Sequence, residues 1–198
     1  GPLGSGMLAA AALVAAIAGA GYWLAGSRGG APAGEPPLIA AARDGDLARV
    51  NALLDRGAAV DGEDACGWTP MMRAAAMGHP AVVTRLLEAG ADLHARDELG
   101  YTALHAAAIS GRPEVAGLLL ARGVAVDVRE TEAGRTPLMW AAREGHTGVV
   151  RVLLDAGASV NLRDHDGRTA LDHAGDNARR DVVELLQARG AMSMDGMD

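Results

Sequence analysis

The sequence predicts an all-α solenoid of five stacked helix–turn–helix units, each ending in a β-hairpin tip, with an apolar helix ahead of them. Three observations carry this reading. Stretches opening Gly-x-Thr recur at Gly67, Gly100, Gly134 and Gly167, a period of 33, 34 and 33 residues. Inside each lie two short apolar-striped segments separated by a helix stop. Each closes on a cluster of turn-forming residues. Helices this short cannot bury their apolar faces alone, so the units must stack on one another.

The fourth unit shows the design element by element. In "TPLMWAAREGH", Thr136 can cap a helix and Pro137 sits in the first turn, where its missing N–H costs nothing. Ala141 and Ala142 allow a second helix to approach closely, and Gly145 ends the first. "TGVVRVLLDAG" follows as a second helix, with Val149, Val150, Leu153 and Leu154 on one stripe and Gly157 as its stop. "ASVNLRDHDG" then alternates Val160 and Leu162 before the turn chemistry of Asp164, Asp166 and Gly167. The other units span 37–66, 67–99, 100–133 and 167–191, the fourth itself being 134–166. The segments "TPMMRAA", "TALHAAA", "TPLMWAA" and "TALDHAG" resemble the T-P-L-H-x-A signature of the ankyrin repeat family, over about four-fifths of the chain. That resemblance implies an ankyrin solenoid, binding by surface and no catalysis.

Three departures from the pattern are visible. The third unit carries one extra residue in "VRETEAG", so its tip should bulge. The fifth, "ALDHAGDNARRD", has lost the Gly-His turn and places Gly175 inside a helix. The first, "GEPPLIAAARDGDLARV", lacks the Thr cap. The last two suit end units that face water on one side.

Composition narrows function. Phe is absent, and all eighteen basic residues are Arg, a hint of a GC-rich, bacterial coding sequence. A net charge of −7 argues against general nucleic-acid binding, which needs a basic face. The single Cys66 excludes an internal disulfide and falls at a tip.

Ahead of the units, "GPLGS" (1–5) reads as an expression-tag scar. Residues 6–26 carry no charge and are long enough to span a bilayer core, with Tyr22 and Trp23 near one end. A transmembrane anchor, a secretory signal peptide (Ala18-Gly19-Ala20 and Ala31-Pro32-Ala33 resemble cleavage sites) and a packed helix all fit. A Gly/Pro linker, 27–36, leads into the repeats. The expected location is a bacterial inner membrane with the repeats in the periplasm, or the soluble periplasm after cleavage.

No active site is legible. The resemblance makes His79, His105 and His146 structural, hydrogen-bonding neighbouring loops. His165 reads as a solvated tip residue, and the recurring Asp residues as turn formers. No metal site or cofactor is expected. One cluster stands apart: in the tail 192–198, Met192, Met194 and Met197 with Asp195 and Asp198 offer a soft-metal alternative, a periplasmic copper-handling accessory protein.

What remains is a protein-binding surface. Family positions carried over residue by residue place Trp68, Tyr101, Arg135 and Arg168 after the opening Gly, with Leu99 just before it. Met77, Ile109 and Arg143 fall at the ends of the first helices. Trp68, Met77, Leu99, Tyr101 and Ile109 are expected to form an exposed apolar patch, continued by Arg135, Arg143 and Arg168. Trp140 either joins the patch or fills the space between units. Aromatic and Arg side chains are the types that dominate interface hot spots. The expected function is a non-enzymatic, membrane-tethered protein-binding module, either an inhibitor or immunity-type protein or an assembly factor of an envelope complex.

Overall fold

The computed structural model describes residues 35–193, and these hold ten helices and no strand. Inner helices are α1 (Pro37–Asp44), α3 (Pro70–Met77), α5 (Ala103–Ile109), α7 (Pro137–Glu144) and α9 (Ala170–Asp176). Outer helices are α2 (Leu47–Asp55), α4 (Pro80–Glu88), α6 (Pro113–Ala121), α8 (Thr147–Asp155) and α10 (Arg180–Ala188). Each inner helix packs on the inner helices before and after it, and on its own outer partner; the outer helices form the second layer. The expected apolar helix over 6–26 and the tail from Met194 lie outside the described residues. Among the described residues no helix is long and apolar enough to cross a membrane.

Helix starts follow the caps read from sequence. Thr69, Thr102, Thr136 and Thr169 each accept the backbone N–H three residues on. Pro36 stands in that place in the first unit and makes no side-chain cap. The small residues of the inner helices, including Ala74, Ala75, Ala107, Ala108, Ala141 and Ala142, are wholly or almost wholly buried, which sets the close approach of one unit to the next. The outer helices contribute Val82, Val83 and Leu86, then Val115, Ala116 and Leu119, then Val149, Val150 and Leu153 to one continuous core.

Helix stops do more than stop. Gly45, Gly78, Gly111 and Gly145 have φ between 67° and 84°, in the left-handed region. At each, an added Cβ would strike the next unit: the His79 ring at 2.6 Å, Arg112 Cδ at 2.8 Å, the His146 ring at 2.6 Å and Arg179 Cδ at 2.7 Å. Those four side chains occupy one position, directly after the stop, and all reach backwards. His79 Nε2 binds the Arg43 carbonyl at 2.9 Å, and Arg112 Nε donates to Ala76 O at 3.0 Å. His146 Nε2 binds Ile109 O at 2.9 Å, and Arg179 Nε donates to Arg143 O at 3.1 Å. Each therefore satisfies a carbonyl left free at the end of the preceding inner helix. In the fifth unit the stop is Ala178, the one non-Gly described residue at positive φ (54°). Gly175 lies inside α9, as the sequence suggested.

The tips are turns rather than the expected β-hairpins. Each is closed by one or two backbone bonds across it, such as Asp64 N to Trp68 O at 3.0 Å and Gly67 N to Asp64 O at 2.9 Å, too few for a ladder. An acid holds the loop from within: Asp97 Oδ1 accepts the N–H groups of Leu99 and Tyr101, and Asp164 Oδ1 those of Asp166 and Arg168. The longer third tip uses a longer acid. Glu130 accepts from Glu132, Ala133 and Arg135, its extra methylene matching the extra residue.

Two substitutions test the stop geometry. Ala178→Gly removes left-handed strain with no side chain lost from contact, and should raise stability by about 1 kcal/mol in urea unfolding. Gly111→Ala adds strain of about 1–2 kcal/mol and also displaces His146, so it should destabilise by more than that.

Candidate partner-binding face

The residue after each opening Gly lies between its own tip and the next. Trp68 is buried there, and its indole Nε1 donates to Asp97 Oδ2 of the following tip at 3.0 Å. Arg135 makes the corresponding contact one unit later but one, its Nε donating to Asp164 Oδ2 at 3.4 Å. Tyr101 is buried too, 5.8 Å from the Trp140 ring and edge-on to His105 at 5.4 Å between centroids. Burial is the largest cause raising the Tyr101 hydroxyl pKa, with the Glu130 charge adding to it.

The expected exposed apolar patch is thus corrected. Trp68 (3% exposed), Tyr101 (4%), Ile109 (5%) and Trp140 (1%) are core residues joining units. The reason is geometric: the ring after the opening Gly packs against the next unit, Trp68 through its bond to Asp97 and Tyr101 through the Trp140 ring. Leu99 remains exposed and Met77 half-buried. His165, expected to be solvated, is exposed, yet its Nδ1 lies 3.1 Å from Glu132 O of the preceding tip.

The three Arg residues stay at the surface, half-buried. They are not equivalent. Arg135 is paired with Asp164, and Arg168 with Asp176. Arg143 approaches only Glu144, at 3.7 Å and without a hydrogen bond, while its guanidinium lies 5.2 Å from the Trp140 ring centroid. Arg135 lies against the same ring at 5.3 Å. Burial first, then the positive charges of Arg135 and Arg168, lower the Arg143 pKa against the opposing pull of Glu144. Of the other inner-helix arginines, Arg43 is hydrogen-bonded to Glu35 and Asp44, and Arg73 to Asp64 at 2.5 Å while it stacks on Trp68.

His105 is buried and hydrogen-bonded, as the resemblance implied, and so is His173, for which no role was legible in the sequence. Thr102 N–H donates to His105 Nδ1 at 3.3 Å, so the ring proton is on Nε2, which donates to Arg135 O at 3.3 Å. With Thr102 Oγ1 accepting the His105 N–H, this closes a capping box. Burial lowers the His105 pKa to about 4. His173 is likewise lowered by burial, partly offset by its 2.8 Å bond to Asp164. Asp164 resists the upward push of its burial because the Arg168 N–H and His173 hold its carboxylate, leaving its pKa below the ordinary value. Among the described residues no group of His, Cys, Asp and Glu could hold a metal ion.

One recurring set escaped the sequence reading. Arg96, Arg129 and Arg163 each precede the tip acid. Arg96 donates to Gly100 O and to Arg129 O of the next unit, and Arg129 to Gly134 O and Arg163 O. Arg163 donates to Gly167 O. The signal was present as Arg-Asp or Arg-Glu at the repeat period.

The burial of Trp68 and His105 generates two predictions. Trp68→Ala should cost about 3–5 kcal/mol, because it opens a cavity and removes the donor to Asp97. A melting curve unchanged from wild type would contradict the placement. His105 has a folded pKa below its unfolded value near 6.5, so the unfolded chain takes the proton first. Its stability contribution is complete above about pH 6.5 and falls by about 3 kcal/mol as pH drops towards 4. His105→Gln, which keeps a donor and an acceptor but does not titrate, should remove most of that slope in urea midpoints measured across this range.

Comparison with known proteins follows the same repeats. A family model described as ankyrin repeats (3 copies) matches residues 10–97, 38–130, 89–164 and 125–195. A probable E3 ubiquitin-protein ligase of Oryza sativa subsp. japonica is 45% identical over 51 residues, 26% of this chain and 10% of that protein. Ankyrin repeat domain-containing protein 63 of Homo sapiens is 48% identical over 65 residues, 31% of this chain and 17% of that protein. Protein phosphatase 1 regulatory subunit 12A of Mus musculus is 38% identical over 60 residues, 30% of this chain and 6% of that protein. This chain spans less than a fifth of the length of each. The chain belongs to the ankyrin repeat family.

Proposed function

We propose that this chain is a non-enzymatic protein-binding module whose partner docks along the C-terminal ends of the inner helices. The observation that supports this most is where the units differ. Their buried alanines and stops recur, whereas the last two positions of that edge read Arg43-Asp44, Ala76-Met77, Ile109-Ser110, Arg143-Glu144 and Asp176-Asn177. A stack whose polar groups are otherwise spent between units keeps its chemical variety at this edge. Ankyrin repeats suggest protein–protein interaction.

The uncharged stretch 6–26 supports a membrane tether, which would place the repeats at a bacterial envelope, facing the periplasm. An inhibitor of a secreted enzyme or an assembly factor of an envelope complex fits such a tethered surface. The basis for both is the stretch's length and lack of charge.

Two measurements test the proposal. Met77→Arg and Arg143→Glu should abolish capture of the partner from detergent-solubilised envelopes while shifting Tm by no more than about 3 °C. Arg151→Glu, exposed on α8, should do neither. Normal capture by both inner-edge variants would sink the docking edge. The full chain should also sediment with membranes and resist salt extraction. Recovery of a soluble form starting near Gly21 or Gly34 would instead establish a cleaved signal peptide.

A further inference from the structure

We propose that the step between the third and fourth units binds a carboxylate-bearing segment of the partner, a run of Asp or Glu side chains, with Arg143 as its principal ligand. This rests on the protein-binding reading and gives the partner's contact surface a chemistry.

Arg143 is the anomaly among the inner-face arginines. Arg73 and Arg135 donate hydrogen bonds to Asp64 and Asp164, and Arg168 does so to Asp176. Arg143 makes no side-chain hydrogen bond, and Glu144 at 3.7 Å is beyond donor–acceptor range. A guanidinium carries five N–H donors in a planar fork suited to a carboxylate. This one is 26% exposed and rests against Trp140, so it is oriented before any ligand arrives. Arg135 and Arg168, though each is paired with a carboxylate of its own, lie near enough to oppose its charge, whereas no carboxylate hydrogen-bonds Arg143 itself.

A second, independent observation falls on the same step. Among the described residues, two buried side-chain polar atoms have no hydrogen-bond partner: Trp140 Nε1 and Ser110 Oγ. Trp140 carries the Arg143 guanidinium, and Ser110 closes α5 beside Ile109, whose carbonyl binds His146 of the fourth unit. Every other buried side-chain donor or acceptor in the described stack is satisfied. Both atoms are closed to solvent, so the donor at this step that an external acceptor can reach is the Arg143 guanidinium, with the unsaturated Trp140 ring beneath it as its support. A carboxylate fits this set better than a nucleic-acid backbone, because the arginines cluster at one step of a chain whose net charge is −7, with no extended basic stripe.

The test uses the full chain in zwitterionic detergent, labelled with nitrogen-15, titrated with acetylated hexaglutamate. The Trp140 indole N–H resonance should shift saturably, while that of Trp68, already bonded to Asp97, should stay in place. Arg143→Gln should weaken binding about tenfold. Glu144→Gln removes the competing carboxylate and should tighten it about two- to threefold, a gain that a misfolded variant cannot mimic. Arg151→Gln should leave it unchanged. Equal binding by Arg143→Gln, a static Trp140 resonance, or tighter binding of hexauridylate than of hexaglutamate would each overturn the proposal. If hexaglutamate fails but Met77→Arg still abolishes partner capture, only the carboxylate chemistry falls. If both fail, the docking edge falls with it.

Discussion

The whole stack depends on one repeated contact: the side chain after each helix stop reaching back to a carbonyl of the unit before it. His79, Arg112, His146 and Arg179 all do this. The contact is possible only because a glycine precedes it, since a Cβ at Gly78 or Gly145 would occupy the space the Arg stem needs. Two helices of seven to nine residues have little stability of their own. The backward bond fixes the register in which their alanine faces meet, and so the geometry of the core.

A second lattice at the tips repeats the logic with different residues. Trp68 to Asp97 and Arg135 to Asp164 are one contact made with two donor types. The Arg96 and Arg129 guanidiniums bridge carbonyls of successive tips, and Arg163 closes its own. The absence of lysine acquires a structural side here. A guanidinium holds the two N–H groups of each terminal nitrogen in fixed in-plane directions, and Arg129 Nη1 serves two carbonyls this way, whereas the N–H groups of an ammonium rotate freely. Codon bias alone is not needed to account for arginine at these places.

The period, the caps and the stops were legible because each is a local rule: Thr136 and Gly145 announce themselves within ten residues. Burial at the candidate face was not. Trp68, Tyr101, Arg135 and Arg168 share one repeat position, and reading across units made that position look like free surface. Its real constraint is a partner about one unit away, and 29 residues separate Trp68 from Asp97. Nothing local reveals that. Pairing each donor-capable residue with the acid of the next tip would have done so. The tip turns were misread as strands because alternating Val160 and Leu162 mimic strand periodicity, whereas both are half-buried against the core from a loop. The match of Glu130 to its lengthened tip was visible only once the three N–H groups it gathers were seen together.

The backward bonds all point the same way along the chain, and this gives the stack a mechanical polarity. Detaching the fifth unit withdraws the Arg179 donor with it and leaves behind the Arg143 carbonyl, a group that water solvates readily. Detaching the first unit instead takes away both the Arg43 carbonyl and Gly45, leaving the His79 imidazole bare on the new end. Pulled from its two ends, the molecule is therefore not symmetric: each loss from the C-terminal side bares a carbonyl and the glycine beside it, each loss from the N-terminal side bares a donor, like a zipper whose teeth are all fixed to one edge.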